Sequence, residues 1–380
     1  MRKQGSMRIL TPLCLATFLI AGMSAVARAE TGATLVYPLR LSDTPPAGLT
    51  DDPAPFRCPG PTVALTDMSK LLTFYQAGAT QSVVDKQAMA TYVQRTRPVD
   101  AASAKLQAMV ARALSSPGVR PAVGACIMRQ VRLWADRNAL LGNLDDNQPK
   151  DRRQGILIGV WNTAAFTDAY AVASQAGTMT EDQSKSVQKW FAALSDAIIA
   201  EFTPPTEPRR KEDRWLDNDA NTRYWAAGSV GLLAVSLQDR RKFEWAMAGL
   251  RSGLSHVGDD GGFPLELARG NKALHYQSFA MRALTVLVAL ADANAVVLAP
   301  EDEKRLVSAT RFTVEMYQHP DILAKRLGYE QEKPKIGDWL AVLAPHIRRT
   351  DPALADEMEQ LIAPERPIKS AYVLGLTAGR

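Results

Sequence analysis

Cysteine, histidine and long apolar runs are all scarce in this chain, and each scarcity narrows what it can do. Three cysteines and four histidines among 380 residues, with no Cys-x-x-Cys pair and no Cys/His cluster, argue against a metal centre. No metal and no organic cofactor is expected. The basic residues form no stripe and no motif with interleaved aromatics, which excludes nucleic acid as a partner. Short basic excesses at 208–211 (PRRK) and 239–242 (DRRK) read as solvated loop and helix ends. Strand patterns are few beyond residue 83, and no fixed repeat period is present, which argues against a regular solenoid.

The single long apolar run is N-terminal. Arg2, Lys3 and Arg8 precede apolar residues from Ile9 to about Val26, and Ala27-x-Ala29 follows. This pattern predicts a secretory signal cleaved after Ala29, hence export and no stable membrane insertion afterwards. Losing Arg2, Lys3, Arg8 and Arg28 with it leaves 41 basic residues against 40 acidic ones. Cys14 leaves too, so Cys58 and Cys126 remain as an even pair in an oxidising compartment, which predicts one disulfide.

From about Val83 to Ala363 the chain is a succession of helical patterns with apolar positions three and four residues apart. Residues 83–116 open the series with a long helical stretch around Arg97-Pro98. Segments at 124–141, 155–175, 181–202, 222–238, 240–257, 271–293 and 301–318 follow, separated by Pro-, Gly- and Asp-rich turns such as PPTEP (204–208) and GDDGGFP (258–264). Helices of similar length on short links, unevenly spaced, predict an all-α fold, an incomplete (α/α) toroid or barrel of helical hairpins. Such a barrel leaves a groove at one end for an extended ligand. The expected layout is a signal at 1–29, an N-terminal arm at 30–60 and one toroid domain at 61–370, in a monomer.

Two stretches carry chemistry. In WLDNDANTRYWAAGSVG (215–231), Asp217, Asn218 and Asp219 suit a helix entry and Thr222 suits a cap. Tyr224 and Trp225 then enter either the core or a groove. In DDGGFPLELARGNKALHYQSFAMRAL (259–284), a turn leads to Glu266 and Arg269, and then to His275 and Tyr276 in the next helix. Adjacent helical residues point about 100° apart, so His275 and Tyr276 are not expected to face one site squarely. Trp134, Trp161, Trp190 and Trp245 lie on apolar stripes and are read as core. His256, His319 and His346 are read as surface or satisfied core residues.

Together the two stretches resemble the mannuronate-specific periplasmic alginate lyases of polysaccharide lyase family five. Where that family runs Asn-Asn-His-Ser/Arg-Tyr-Trp-Ala, this chain has Ala220-Asn221-Thr222-Arg223-Tyr224-Trp225-Ala226. Downstream, the acidic-Gly turn, Glu-Leu-x-Arg and a tyrosine seven residues after the arginine also match, and Cys58 and Cys126 fall where such enzymes carry cysteines. The resemblance covers about residues 55–345. It implies a periplasmic protein whose partner is an acidic polysaccharide, cleaved by β-elimination. The C5 proton leaves, the bond from C4 to the glycosidic oxygen breaks, and an unsaturated sugar forms.

By the same resemblance, Asn221 and Arg269 would neutralise the substrate carboxylate and Tyr276 would protonate the leaving oxygen. Arg223, Tyr224, Trp225, Glu266, His275 and Tyr75 are the expected substrate-binding residues, and the YQAGATQS stretch (75–82) is the expected lid. Two departures stand out: Thr222 occupies the family histidine's place, and Phe74 falls where the family has a lid lysine. A threonine hydroxyl is a very poor base. Three replacements are open. Tyr276 could act as base and acid, its pKa lowered by Arg269 or Arg223; His275 could swing in; or Tyr224 could serve. The pattern also fits two other readings: a non-catalytic descendant that binds acidic polysaccharide during export, and a lyase or hydrolase acting on something other than a uronate polymer, for which Glu266 with Asp259 or Asp260 could supply a hydrolase's two carboxylates.

Overall fold

A computed structural model describes residues 34–43, 51, 54–69, 71, 74–76, 82–144, 149–203, 220–332 and 336–362. The expected signal with its cleavage site, the expected helix-entry residues Asp217, Asn218 and Asp219, and residues 77–81 of the expected lid lie outside them. Among the described residues the only pairing of extended chain is one antiparallel bridge, Tyr75 with Val84.

Helices begin where side chains can satisfy the first free N–H groups. Asp85 caps α1 (Lys86–Ser115) by accepting from Ala88 N at 2.9 Å, and α1 continues through Pro98. Helix α4 (Glu181–Phe202) opens with a reciprocal capping box between Thr180 and Gln183. Its inward stripe, Val187, Trp190, Phe191, Leu194 and Ile198, is buried, the i, i+3, i+4 pattern that the sequence displayed.

The helices pair as hairpins with an inner and an outer member. The inner members are α1, α3 (Pro149–Gln175), α5 (Asn221–Leu237), α8 (Ala273–Ala293) and α11 (Trp339–Ile347); each packs on the next. The outer members are α2 (Arg120–Ala135), α4, α6 (Arg240–Ser255), α9 (Pro300–Gln318) and α12 (Pro352–Leu361). Short helices α7 (Pro264–Leu267) and α10 (Pro320–Leu327) complete the set. This is the expected α/α toroid. Helix α3 has the length and apolarity of a membrane span, but 83 % of that stretch is buried within the fold, so its apolarity belongs to the core. Close approach needs small residues: a Cβ on Gly231 of α5 would meet Leu290 Cδ1 of α8 at 2.6 Å.

The segment at 35–41 is extended and held by three amide side chains, each at the C-terminal end of an inner helix. Gln238 exchanges two hydrogen bonds with Leu35 at 2.9 Å. Asn294 does the same with Val36, and Gln175 bonds Leu39 O and Leu41 N. Tyr37 donates to Asp168 at 2.6 Å inside the core. The C-terminal ends of α3, α5 and α8 are thus covered, and the site described next sits at the N-terminal ends of α5 and α8. Cys58 and Cys126 form the expected disulfide, with Cα atoms 5.7 Å apart, which ties the lead-in segment to α2.

Candidate active site

The turn before α7 requires glycine. Gly261 has φ +89°, and a Cβ there would meet Ser308 O at 2.4 Å and Phe312 Cβ at 2.8 Å. Gln277 of α8 fastens the turn from the other side, accepting from Phe263 N at 2.9 Å and donating to Thr313 Oγ1 at 3.1 Å. The turn, α7 and the start of α8 are thereby fastened together, and between them they carry Glu266, Arg269 and Tyr276.

Glu266 is 1 % exposed and sits at the centre of the site. Its two carboxylate oxygens accept from Asn221 N and Asn221 Nδ2, each at 2.8 Å. A carboxylate only accepts, so it fixes which way the Asn221 amide points and leaves the second Nδ2 proton for another acceptor. Burial raises the Glu266 pKa, opposed by the Asn221 donors and the Arg269 charge. Arg269 follows α7 and lays its guanidinium over the Tyr276 ring, 3.6 Å from the centroid, and 5.5 Å from that of Tyr75. Tyr276 donates its hydroxyl proton to Tyr75 at 2.7 Å. Tyr75 is placed by backbone bonds on either side of it, Gln76 N to Val83 O at 2.9 Å and Asp85 N to Phe74 O at 2.8 Å. An amide and a guanidinium that can meet a carboxylate, next to a phenol that can give a proton, are gathered around one buried glutamate.

A family model described as alginate lyase matches residues 75–323. The chain belongs to the alginate lyase family. Among curated relatives, an alginate lyase of Pseudomonas fluorescens is 26 % identical over 232 residues, spanning 60 % of this chain and 59 % of its own length. One from Pseudomonas putida is 27 % identical over 284 residues, spanning 73 % of this chain and 72 % of its own. The chain thus spans well under the full length of the first of these relatives. Alginate lyase A1-III from Sphingomonas species A1 matches in fold with a TM-score of 0.65 at 19 % identity, covering 85 % of this chain and 88 % of that one. A histidine-to-alanine variant of A1-III complexed with a tetrasaccharide matches with a TM-score of 0.67 at 20 % identity, covering 85 % and 87 %.

Within this alginate lyase family chain the expected site residues divide. Asn221, Glu266, Arg269, Tyr276 and Tyr75 come together. Three expectations need correction. Tyr224 is 2 % exposed, bonds His256 Nδ1 through its hydroxyl at 3.0 Å and packs on Phe263, so it is a core residue and neither a base nor a sugar platform. Glu266 is committed to Asn221 and buried, so it can influence a bound ligand only through that residue, and the paired-carboxylate hydrolase loses its first member; Asp260 is held by Gly262 N and Arg326. The Tyr276 pKa is raised, not lowered. Burial is the main cause; Arg269 opposes it, and Tyr75 reinforces it.

Smaller corrections follow from the same packing. The N-cap of α5 is Ala220, without a side-chain bond, so Asn221 and Thr222 lie inside the first turn and Thr222 is no cap. Arg223 lies half-buried in that turn. His275 is exposed, with its ring edge-on to Tyr276 at 5.1 Å and parallel to Phe279 within 9°; the two neighbouring rings touch despite their divergent directions. Phe74 packs on Tyr75 and Tyr92 as an apolar anchor. Trp134 and Trp190 are core as expected, whereas Trp161 lines a cavity together with Trp225, Phe279 and Arg282. His346 is a satisfied core histidine between Asp292 and Glu303. Sequence reading missed Gln277, Phe279 and Arg282. Phe279 and Arg282 were traceable, since they follow Tyr276 at three-residue steps on one helix.

Proposed function

We propose that this protein is an exported polysaccharide lyase that cleaves a uronate-containing exopolysaccharide, mannuronate or glucuronate, by β-elimination in the periplasm. The observation that carries the reading is the Asn221–Glu266–Arg269–Tyr276 assembly, with the Asn221 amide oriented by Glu266 and the Arg269 guanidinium over the Tyr276 ring. Asn221 and Arg269 would bind the carboxylate of the reacting sugar and stabilise the charge that grows on it when the C5 proton leaves. Tyr276 holds its proton firmly because burial raises its pKa, which suits the acid that protonates the departing O4 and disfavours the same phenol as the resting base. The base is then His275, the exposed imidazole beside Tyr276, and Thr222 leaves that work to it.

The test is product formation on polymannuronate, polyguluronate, polyglucuronate and a native acidic exopolysaccharide, followed by the ultraviolet absorbance of the unsaturated end. Product from a mannuronate or glucuronate polymer is expected. His275→Gln should lose most of the rate. Binding of every polymer without product would instead establish the non-catalytic carrier, and an unchanged rate in His275→Gln would remove His275 as the base.

A further inference from the structure

Beyond the reacting centre, the inner face of α8 continues into a cavity of about 160 Å³, well above the ~10–15 Å³ that one water needs. Phe279 lies three residues from both Tyr276 and Arg282 and neighbours each of them on the helix surface, while Tyr276 and Arg282 themselves point about 120° apart. Arg282 lies about 9 Å farther along the axis than Tyr276. Trp161 of α3, Trp225 of α5 and Asp338 and Trp339 at the start of α11 supply the other walls.

Three features of this cavity point to an acidic sugar. First, the Arg282 side chain reaches solvent from inside the cavity, and among the described residues its guanidinium makes no hydrogen bond or ion pair; it stands over the Trp225 ring, 5.6 Å from the centroid. Its surroundings disfavour the charge, lowering the pKa, and Asp338 only partly compensates. A guanidinium kept there without an ion pair is a receptor for a carboxylate. Second, Phe279 and Trp225 stack at 4.8 Å with a tilt of 37°, and Trp161 meets Phe279 at 6.5 Å, giving the apolar surface against which sugar rings pack. Third, the indole N–H groups of Trp161 and Trp225 are buried without an acceptor, a deficit that native folds rarely carry without a reason.

We propose that this cavity is a second uronate subsite, in which Arg282 receives the carboxylate of a sugar along the chain from the reacting one while Phe279 and Trp225 support its ring. Asp338 accepts from sugar hydroxyls on the opposite wall. Polymer then binds along α8, with Arg269 reading the carboxylate at the reacting sugar and Arg282 reading another. The inference rests on the uronate reading above, and it makes the enzyme selective for chains in which more than one sugar is acidic.

The test compares wild type, Arg282→Gln and Arg282→Lys for binding and cleavage of mannuronate oligomers of increasing length, with thermal melting as the check on folding. Loss of one charged hydrogen-bond set should raise KM on long oligomers about 10- to 100-fold in Arg282→Gln, more than it changes kcat. Arg282→Lys should recover part of the loss, and the wild-type advantage should shrink for disaccharides. Quenching of tryptophan fluorescence by oligomers should weaken in parallel. If no uronate is cleaved but wild type binds oligomers and Arg282→Gln does not, the lyase reading fails and the subsite stands. Wild-type KM and binding in Arg282→Gln, or no binding of uronate oligomers by wild type, would overturn the subsite.

Discussion

Replacing Glu266 by glutamine keeps the shape of the site and removes the feature that orients it. The carboxylate accepts from Asn221 N and Asn221 Nδ2, both at 2.8 Å, at a position 1 % exposed. A glutamine offers one oxygen and one NH2 group, so one of the two Asn221 donors must face another donor, or the Asn221 amide must turn over and present its oxygen. Either way neither Asn221 bond is charge-assisted any longer, costing about 1.5–3 kcal/mol, partly offset because a buried charge is no longer desolvated. Melting should fall by only a few degrees, at roughly 2–4 °C per kcal/mol for a large domain. Catalysis should suffer more, because a displaced carboxylate-binding amide misplaces the reacting sugar, an effect on the order of 10²-fold in kcat/KM.

The pH profile gives the same residue a second reading. Burial raises the Glu266 pKa, so its protonation, and with it the loss of the Asn221 orientation, sets in above the ordinary glutamate range. Wild-type kcat/KM should therefore have an acid limb there, and Glu266→Gln should lack that component. The stability effect has the opposite sign: the folded state holds this proton more tightly than the unfolded chain, so this group alone favours folding as pH falls. Kinetics on the unsaturated product and calorimetry on both proteins make the assay. Undiminished kcat/KM in Glu266→Gln, with a normal melting curve, would refute the positioning argument.

Other consequences can be measured independently of activity. Replacing Cys58 and Cys126 by serine opens a loop spanning 68 residues and should cost about 4 kcal/mol in the chain-entropy account, read as a lower midpoint in urea; an unchanged midpoint would mean the bridge constrains nothing. At His346, burial alone would lower the pKa, but hydrogen bonds and charge from Asp292 and Glu303 outweigh it and raise it, with Arg349 also bonded to Asp292. The folded-state value is the higher one, so the stabilisation is complete below the ordinary histidine pKa and fades as pH rises through the raised value. The stability difference between wild type and His346→Gln should shrink over that window, and a difference independent of pH would contradict the assignment. Gly261→Ala should destabilise by about 1–3 kcal/mol through its positive φ and the contact with Ser308, and should lower activity because the turn carries Glu266 and Arg269; a neutral effect on both would mean the turn can shift freely.

The toroid was legible because its helices write their buried faces into sequence at intervals of three and four residues, with turns rich in Pro, Gly and Asp between them. Asn221, Arg269 and Tyr276 were legible for another reason, the order and spacing of two motifs. What those signals could not convey was direction. Tyr224 and Trp225 look alike in sequence, yet the first turns to His256 in the core and the second to Phe279 at the cavity. Glu266 looks like a free carboxylate until the fold brings Asn221 onto it from 45 residues away. The Tyr276 pKa could not be read from the neighbouring arginine alone, because burial outweighs that charge. Burial and long-range pairing belong to the assembled toroid, and a local pattern does not carry them.

In the proposed reaction Tyr276 gives its proton to the leaving oxygen of a uronate polymer whose carboxylate is held by Asn221 and Arg269. The most direct measurement is the single-turnover rate of unsaturated product formation from polymannuronate by wild type and by Tyr276→Phe, with equal folding verified by calorimetry and equal polymer binding verified by fluorescence. The account predicts that Tyr276→Phe binds polymer but forms product at least about 10²-fold more slowly. Product formation at the wild-type rate in Tyr276→Phe would contradict it.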